Sequence, residues 1–194
     1  MSQDPDEPDW RGPAAALADE LRRMIEALAV NALAPEALEE ALRAVREARR
    51  RLAGPRRLRW YDAGGSALEI TAETARAYLD QSPIRGRLNP VAPPVTVSLG
   101  EREDGTRVVR GRARLPMSYE GPPHGVHGGW VAALFDDVLG AAQALIGSRG
   151  VTARLTIDYR HVTPVEEELR FEAWIERREG RRITARATCH AGQT

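Results

Sequence analysis

Residues 127–146 read HGGWVAALFDDVLGAAQALI. Apolar side chains fall on nearly every side of the helix this stretch would make: Trp130, Val131, Leu134, Phe135, Val138, Leu139, Leu145 and Ile146. A helix that is apolar all round belongs inside a protein, not on its surface. Strand-like segments lie on both sides of it. Upstream, Val95, Val97 and Leu99 alternate with polar residues, and over 106–117 Val109, Ala113, Leu115 and Met117 alternate with Arg110, Arg112 and Arg114. Downstream come Ala153/Leu155/Ile157/Tyr159, Leu169/Phe171/Ala173/Ile175 and Ile183/Ala185/Ala187/Cys189, with a turn at Glu179-Gly180. Period-two alternation with charged residues on the opposite side marks an antiparallel sheet with one wet face. The expected fold class is therefore α+β, an antiparallel sheet wrapped around one central helix.

The N-terminal third reads differently. Residues 1–12 are an acidic, Pro-bearing lead expected to be disordered. Leu17, Leu21, Met24, Ile25, Leu28 and Ala32 form an amphipathic helical stripe, and Pro35 opens a second helix near 35–52 with Leu38, Leu42 and Val45 on one side. That helix closes on Arg49-Arg50-Arg51, which suits a helix C-terminus, and then Gly54-Pro55. Residues 13–54 are thus expected to form a helical hairpin. With no catalytic constellation of its own, the hairpin is expected to be dispensable for chemistry. Residues 55–84 form a connecting segment with a short helix near 71–80, and 85–194 is the main domain.

Composition narrows the function. The 194 residues carry 28 basic and 28 acidic side chains, and every basic one is Arg. A neutral chain argues against nucleic acid and anionic lipid as partners. The absence of Lys removes Schiff-base and pyridoxal chemistry. One cysteine, Cys189, excludes an intrachain disulfide and a multi-Cys zinc site, so no metal is expected. No uninterrupted apolar run approaches 18 residues, and the N-terminus lacks the pattern of a secretory signal, so a cytoplasmic protein without a membrane span is the expectation.

Chemistry concentrates on the central helix. Asp136 and Asp137 sit about 100° apart around its axis. Asp136 shares its side with Gly129, Ala132, Ala133, Gly140 and Gln143, mostly small or polar residues that leave room for a ligand, with Leu139 the one bulky neighbour, whereas Asp137 shares a packing side with Trp130, Ala133, Leu134, Ala141 and Ala144. Asp136 is the better candidate for chemistry, and the alternative for either is a hydrogen-bonded carboxylate with no further task. His127-Gly128-Gly129 opens the helix. Its first-turn N–H groups have no helical acceptor and can hold an oxyanion. His127 itself can equally be a capping side chain. Gly128 and Asp136 lie about 12 Å apart along the axis, so if both serve one reacting carbonyl, one of them belongs to a second copy of the chain lying antiparallel.

The combination of His127-Gly128-Gly129, Asp136 nine residues after the His, and Gly150-Val151-Thr152-Ala153-Arg154-Leu155-Thr156-Ile157-Asp158-Tyr159-Arg160 resembles the hotdog-fold acyl-CoA thioesterases, in particular the PaaI-like branch and the related mammalian long-chain acyl-CoA thioesterases. The resemblance covers about residues 85–190. It implies a hotdog fold, a homodimer or homotetramer (a dimer of dimers), and hydrolysis of an acyl-CoA to free acid and CoA without metal or cofactor. It places the base or nucleophile on Asp136, the oxyanion donor on the Gly128 N–H, a pocket-shaping role on His127 and an assisting hydroxyl on Thr152. Substrate contacts then fall to Gly129, Gly140, Gln143 and His124, and CoA nucleotide contacts to Arg160 and His161. Two departures stand out. The loop before the His-Gly-Gly carries His124 where some relatives have Asn or Gln. The chain also stops at Ala191-Gly192-Gln193-Thr194, where relatives usually turn and add a core strand, so it is expected to lack about ten residues or to leave a sheet edge open. The rival functions are a non-catalytic acyl-CoA or acyl-carrier binding module and, more remotely, a dehydratase of the same fold.

Overall fold

A computed structural model describes residues 10–55, 72–148 and 150–192. Residues 1–9 of the lead expected over 1–12, the stretch 56–71 and the last two residues lie outside the described part, and the end of that lead is corrected, since Arg11 and Gly12 already belong to a helix. Among the described residues, four helices and four strands follow in the order α1 (Arg11–Val30), α2 (Pro35–Arg51), α3 (Ala72–Gln81), β1 (Val95–Glu101), β2 (Arg107–Arg114), α4 (Gly128–Ala142), β3 (Glu168–Glu179) and β4 (Arg182–Ala191). A 3-10 turn at Met117–Tyr119 precedes α4, and another at Gln143–Ile146 extends it.

The sheet is an antiparallel meander, β1-β2-β3-β4, with α4 packed across one face. This is the hotdog arrangement. Its register pairs Val109 with Ala173, Ala113 with Leu169 and Phe171 with Cys189. The alternation that predicts the strands also decides their faces. Val109, Ala113, Leu169, Phe171 and Ala173 are buried beneath α4, while Arg110, Arg112 and Glu172 face out. On that outer face Arg102 donates to Glu172 at 2.7 Å and stacks on Trp174 at 4.2 Å. Gly111 lets the helix come close, because a Cβ there would lie 3.0 Å from Val138 and 3.2 Å from the Phe171 side chain. Phe135 meets Phe171 edge to face at 5.3 Å.

Three expectations are corrected by the structure. First, α4 is buried on one side only. Val131, Leu134, Val138 and Ala142 are closed off by the sheet, whereas Gly129 and Gly140 are exposed and Ala132, Ala133 and Asp136 are half-buried. A single four-stranded sheet can cover only one side of a cylinder. The 3-10 turn Gln143–Ile146 completes a 19-residue stretch apolar enough to cross a bilayer by length and composition. Its buried face and its two Asp residues mark it as a core helix.

Second, residues 151–160 form no ladder despite their alternation. A strand needs an edge to pair with, and among the described residues these ten pair with neither β1 nor β4.

Third, α1 turns its apolar stripe outward. Leu17, Met24, Ile25 and Leu28 are exposed, and the side that meets the domain is Ala15, Ala18, Arg22 and Glu26. Two buried alanines bring the helix backbone close enough for Arg22 and Glu26 to reach the loops beneath. α2 forms where Pro35 predicts it, with Pro in its first turn, but none of its residues is buried.

Candidate active site

Two loops and one irregular segment converge on α4. The first is 117–127. The His127 N–H donates to the Tyr119 carbonyl at 2.9 Å, and the Tyr119 ring meets Trp130 edge-on at 5.0 Å. Gly121 passes directly over His127, where a Cβ would fall 2.7 Å from the His127 Cα. No other residue fits at that crossing. His127 is the N-cap of α4, and its Nδ1 accepts from the Gly129 N–H at 3.0 Å. That bond assigns the proton of a neutral imidazole to Nε2. It also uses the Gly129 N–H internally. The Gly128 N–H donates to no acceptor among the described residues. Of the two glycines, Gly128 is therefore the one with a donor to offer.

The irregular segment 150–160 runs back along α4, opposite to the helix direction. At one end Thr152 Oγ1 donates to Asp136 Oδ1 at 2.7 Å. At the other, Tyr159 Oη donates to the Gly128 carbonyl at 2.9 Å, with its ring 3.5 Å from where a Gly128 Cβ would stand. Gln143 fixes the turn into this segment by donating to the Gly150 carbonyl at 3.4 Å. Its Oε1 is buried with no partner among the described residues.

The third element is the loop after α3. Arg85 comes from it to within 3.2 Å of Asp137, Nε to Oδ2, and both side chains are largely buried. The two atoms lack the alignment of a hydrogen bond, so the contact is a charge pair. Burial pushes the Asp137 carboxyl up from the ordinary carboxylate value, Arg85 pulls it down, and Asp136 pushes it further up.

The structure thus brings Asp136 together with Thr152, and joins His127, Gly128 and Gly129 into one capped turn. It does not bring Asp136 and Gly128 to one point, since both belong to one straight helix eight residues apart. Gly140 faces open space next to Asp136, with nothing within 4 Å of its would-be Cβ. His124 lies in the left-handed region at φ 60°, exposed, with its N–H donating to Glu120 at 2.6 Å, so it serves the loop's own shape. Arg160 and His161 are exposed and hold no hydrogen bond among the described residues. Sequence reasoning missed Tyr159 and Arg85. Tyr159 reads as one more apolar strand position. Arg85 stands in a stretch with no periodicity to flag it. Among the described residues, no cluster of three His, Cys, Asp or Glu side chains could hold a metal ion.

A family model described as the thioesterase superfamily matches residues 124–194, the span from His124 through α4 to the end of the sheet. The crystal structure of a thioesterase superfamily protein superposes with a TM-score of 0.68 at 31% identity, covering 92% of this chain and 87% of that one. The chain belongs to the thioesterase superfamily. Within that superfamily, acyl-coenzyme A thioesterase THEM4 of Xenopus laevis is 34% identical over 64 residues, which span 33% of this chain and 29% of that protein. The residues matched by the family model include His127, Gly128, Gly129, Asp136 and Thr152.

Proposed function

We propose that this protein hydrolyses acyl-CoA thioesters, with Asp136 as the catalytic carboxylate and the Gly128 N–H as the oxyanion donor. The observation that carries the reading is the Thr152–Asp136 hydrogen bond on the open side of α4. A hydroxyl donating to one carboxylate oxygen orients the carboxylate and leaves the second oxygen free for substrate or water. Asp136 then either attacks the thioester carbonyl or takes a proton from an attacking water. The negative charge that develops on the carbonyl oxygen needs a preorganised donor. The Gly128 N–H, at the positive end of α4 and held by Tyr159 on its carbonyl side, is such a donor.

A reacting carbonyl within about 3 Å of both groups cannot be reached by one chain, because eight helical residues separate them by about 12 Å. The site is therefore built across two copies in a homodimer, with antiparallel α4 helices so that Gly128 of each faces Asp136 of the other. The uncovered side of α4 and the unladdered segment 150–160 supply the surface for this contact. THEM4 of Xenopus laevis carries the name of an acyl-coenzyme A thioesterase, and this supports a CoA thioester as the substrate. Arg160 and His161, exposed at the end of the segment that carries Thr152 and Tyr159, supply groups for the nucleotide end of CoA.

The test is release of free CoA from a panel of short, long and aromatic acyl-CoAs, comparing the wild type with Asp136→Asn and Asp137→Asn. The reading requires that Asp136→Asn abolish turnover while acyl-CoA still binds. A wild type that binds acyl-CoAs and cleaves none would make the protein a binding module. Greater loss of kcat in Asp137→Asn would move the chemistry to the other carboxylate.

A further inference from the structure

α1 reaches the catalytic helix by a chain of contacts that the hydrolytic reading does not use. Arg22, on the inner side of α1, is a clamp on the loop that follows α3. Its Nε donates to the Ala92 carbonyl at 3.0 Å. Its Nη2 is shared among the carbonyls of Asn89, Gly86 and Arg87 at 2.7, 3.1 and 3.3 Å, and its Nη1 is held by Asp19 at 2.7 Å. Five donors in a planar fork suit such a gathering of carbonyls, and a lysine could not reproduce it. Arg11 ties the same loop's root by pairing with Asp80 at 3.1 Å. Inside the clamped loop, buried Ser82 accepts from the Arg85 N–H at 3.3 Å. The Arg85 backbone is thereby fixed, and its side chain crosses to Asp137.

We propose that Arg85 is a positioning residue for Asp136, balancing the charge of neighbouring Asp137, and that Arg22 on α1 holds the loop that keeps Arg85 there. The proposal rests on Asp136 being the catalytic carboxylate. Two adjacent carboxylates on one half-buried helix repel each other, and a cation beside them offsets that repulsion. Arg85 is that cation. The other groups around Asp137 do not compete. β2 and β3 present Val109, Ala113, Phe171 and Ala173 beneath α4, and β4 presents Ala187 and Cys189, whose thiol burial pushes up to about 12 and so keeps neutral. Arg154 and Asp158 on the 150–160 segment are exposed to solvent, as is His127 at the helix start.

Charge arithmetic gives a signature that a purely structural brace would not. With Asp137 ionised, the pair beside Asp136 sums to zero in the wild type, to −1 in Arg85→Gln, to +1 in Asp137→Asn, and to zero again in the double variant. The acidic limb of kcat/KM should therefore move up by about one pH unit in Arg85→Gln, the order expected for an uncompensated neighbouring charge. It should move down in Asp137→Asn and return to the wild-type position in the double variant. Arg85→Lys keeps the cation and should keep the limb, and Arg22→Gln should move it as Arg85→Gln does, by less.

The experiment records kcat/KM for acyl-CoA cleavage against pH for these full-length variants, with carboxyl carbon NMR titration of Asp137 in parallel. Limbs in the stated order, with Asp137 titrating higher in Arg85→Gln, establish the proposal. Limbs that coincide while kcat falls equally in every variant overturn it and leave Arg85 a structural brace. An Arg22→Gln limb on the wild type beside a shifted Arg85→Gln overturns the part assigned to α1. If Arg85→Gln fails to fold, the downward shift in Asp137→Asn against an unmoved Arg85→Lys still decides. If the wild type cleaves no acyl-CoA, the hydrolytic reading fails separately, and the Asp137 titration alone decides whether Arg85 balances its charge.

Discussion

Replacing Thr152 by Val removes one hydroxyl and almost nothing else. Val keeps the β-branched shape, so the backbone of the 150–160 segment has no reason to move. What is lost is the 2.7 Å hydrogen bond to Asp136 Oδ1. Hydrogen bonds to charged groups contribute about 1.5–3 kcal/mol. Thr152 is exposed, and water can replace part of the bond, so the low end applies: about 1.5 kcal/mol, or roughly tenfold in rate at 1.36 kcal/mol per decade. That loss should fall on kcat and not on KM, because the bond orients the reacting carboxylate and touches no other part of the substrate. Stability should change by under about 0.5 kcal/mol, as for an exposed side chain outside the core. Steady-state kinetics with a denaturant midpoint on the same preparation measures both. Thr152→Ser, which keeps the hydroxyl, should recover most of the rate. Thr152→Val within twofold of the wild type, or Thr152→Ser as slow as Thr152→Val, would refute the orienting role.

Three further outcomes follow from contacts elsewhere. Gly121→Ala puts a Cβ 2.7 Å from the His127 Cα. The loop must lift from the α4 N-terminus, so kcat should drop and amide exchange at Gly128 and Gly129 should rise. The two N-terminal helices should respond oppositely to substitution. Ala18→Leu forces bulk into the buried side of α1 and should cost about 1–3 kcal/mol of stability, whereas Leu42→Gln on exposed α2 should cost under about 0.5 kcal/mol, both read from denaturant midpoints. The raised Asp137 carboxyl makes the folded state bind a proton that the unfolded state has already released. Its contribution to stability therefore falls as pH rises above the ordinary carboxylate value of 3.8 through the folded value. In the Arg85→Gln/Asp137→Asn double variant that fall should be absent from urea titrations between about pH 4 and pH 7.

The legible part of this protein is the part with a period. Alternation over 107–114, 168–179 and 182–191 marks β2, β3 and β4 because each strand has one wet face and one covered face. The apolar run at 128–142 marks α4 for the complementary reason. Part of the candidate site is legible too: of the two readings of His127 the structure shows the cap, and the family resemblance, not any local pattern, points to Thr152, which donates to Asp136. Alternation predicts faces, however, and not neighbours, so 150–160 reads as a strand although no edge among the described residues pairs with it. A stripe of large apolar residues on α1 likewise says nothing about which side will dock. Small Ala15 and Ala18 allow the closer approach, and the polar reach of Arg22 and Glu26 completes the contact, with Glu26 accepting from the Ser118 N–H at 3.0 Å. Arg22, Arg85 and Tyr159 act through long-range contacts, 64 or more residues away for the first, and no local pattern encodes those. Of the two helices within residues 13–53, expected to be dispensable for chemistry, α2 buries none of its residues and α1 grips the loop carrying Arg85.

The central claim is a thioester-cleaving site assembled from Gly128 of one chain and Asp136 of another, and mixed dimers test it most directly. Gly128→Pro removes the N–H and adds a ring whose Cβ would meet Tyr159 at ordinary van der Waals distance, 3.5 Å. Position 128 is the first of α4, where Pro is well tolerated, and His127 before it holds ψ 128°, which a following Pro accepts. Asp136→Asn removes the carboxylate. Each variant alone should be inactive. Mixed one to one and allowed to exchange, half the dimers are hybrids with one intact site of two, so activity should recover to about a quarter of the wild type. No recovery in dimers shown to be hybrid would contradict a site shared between chains.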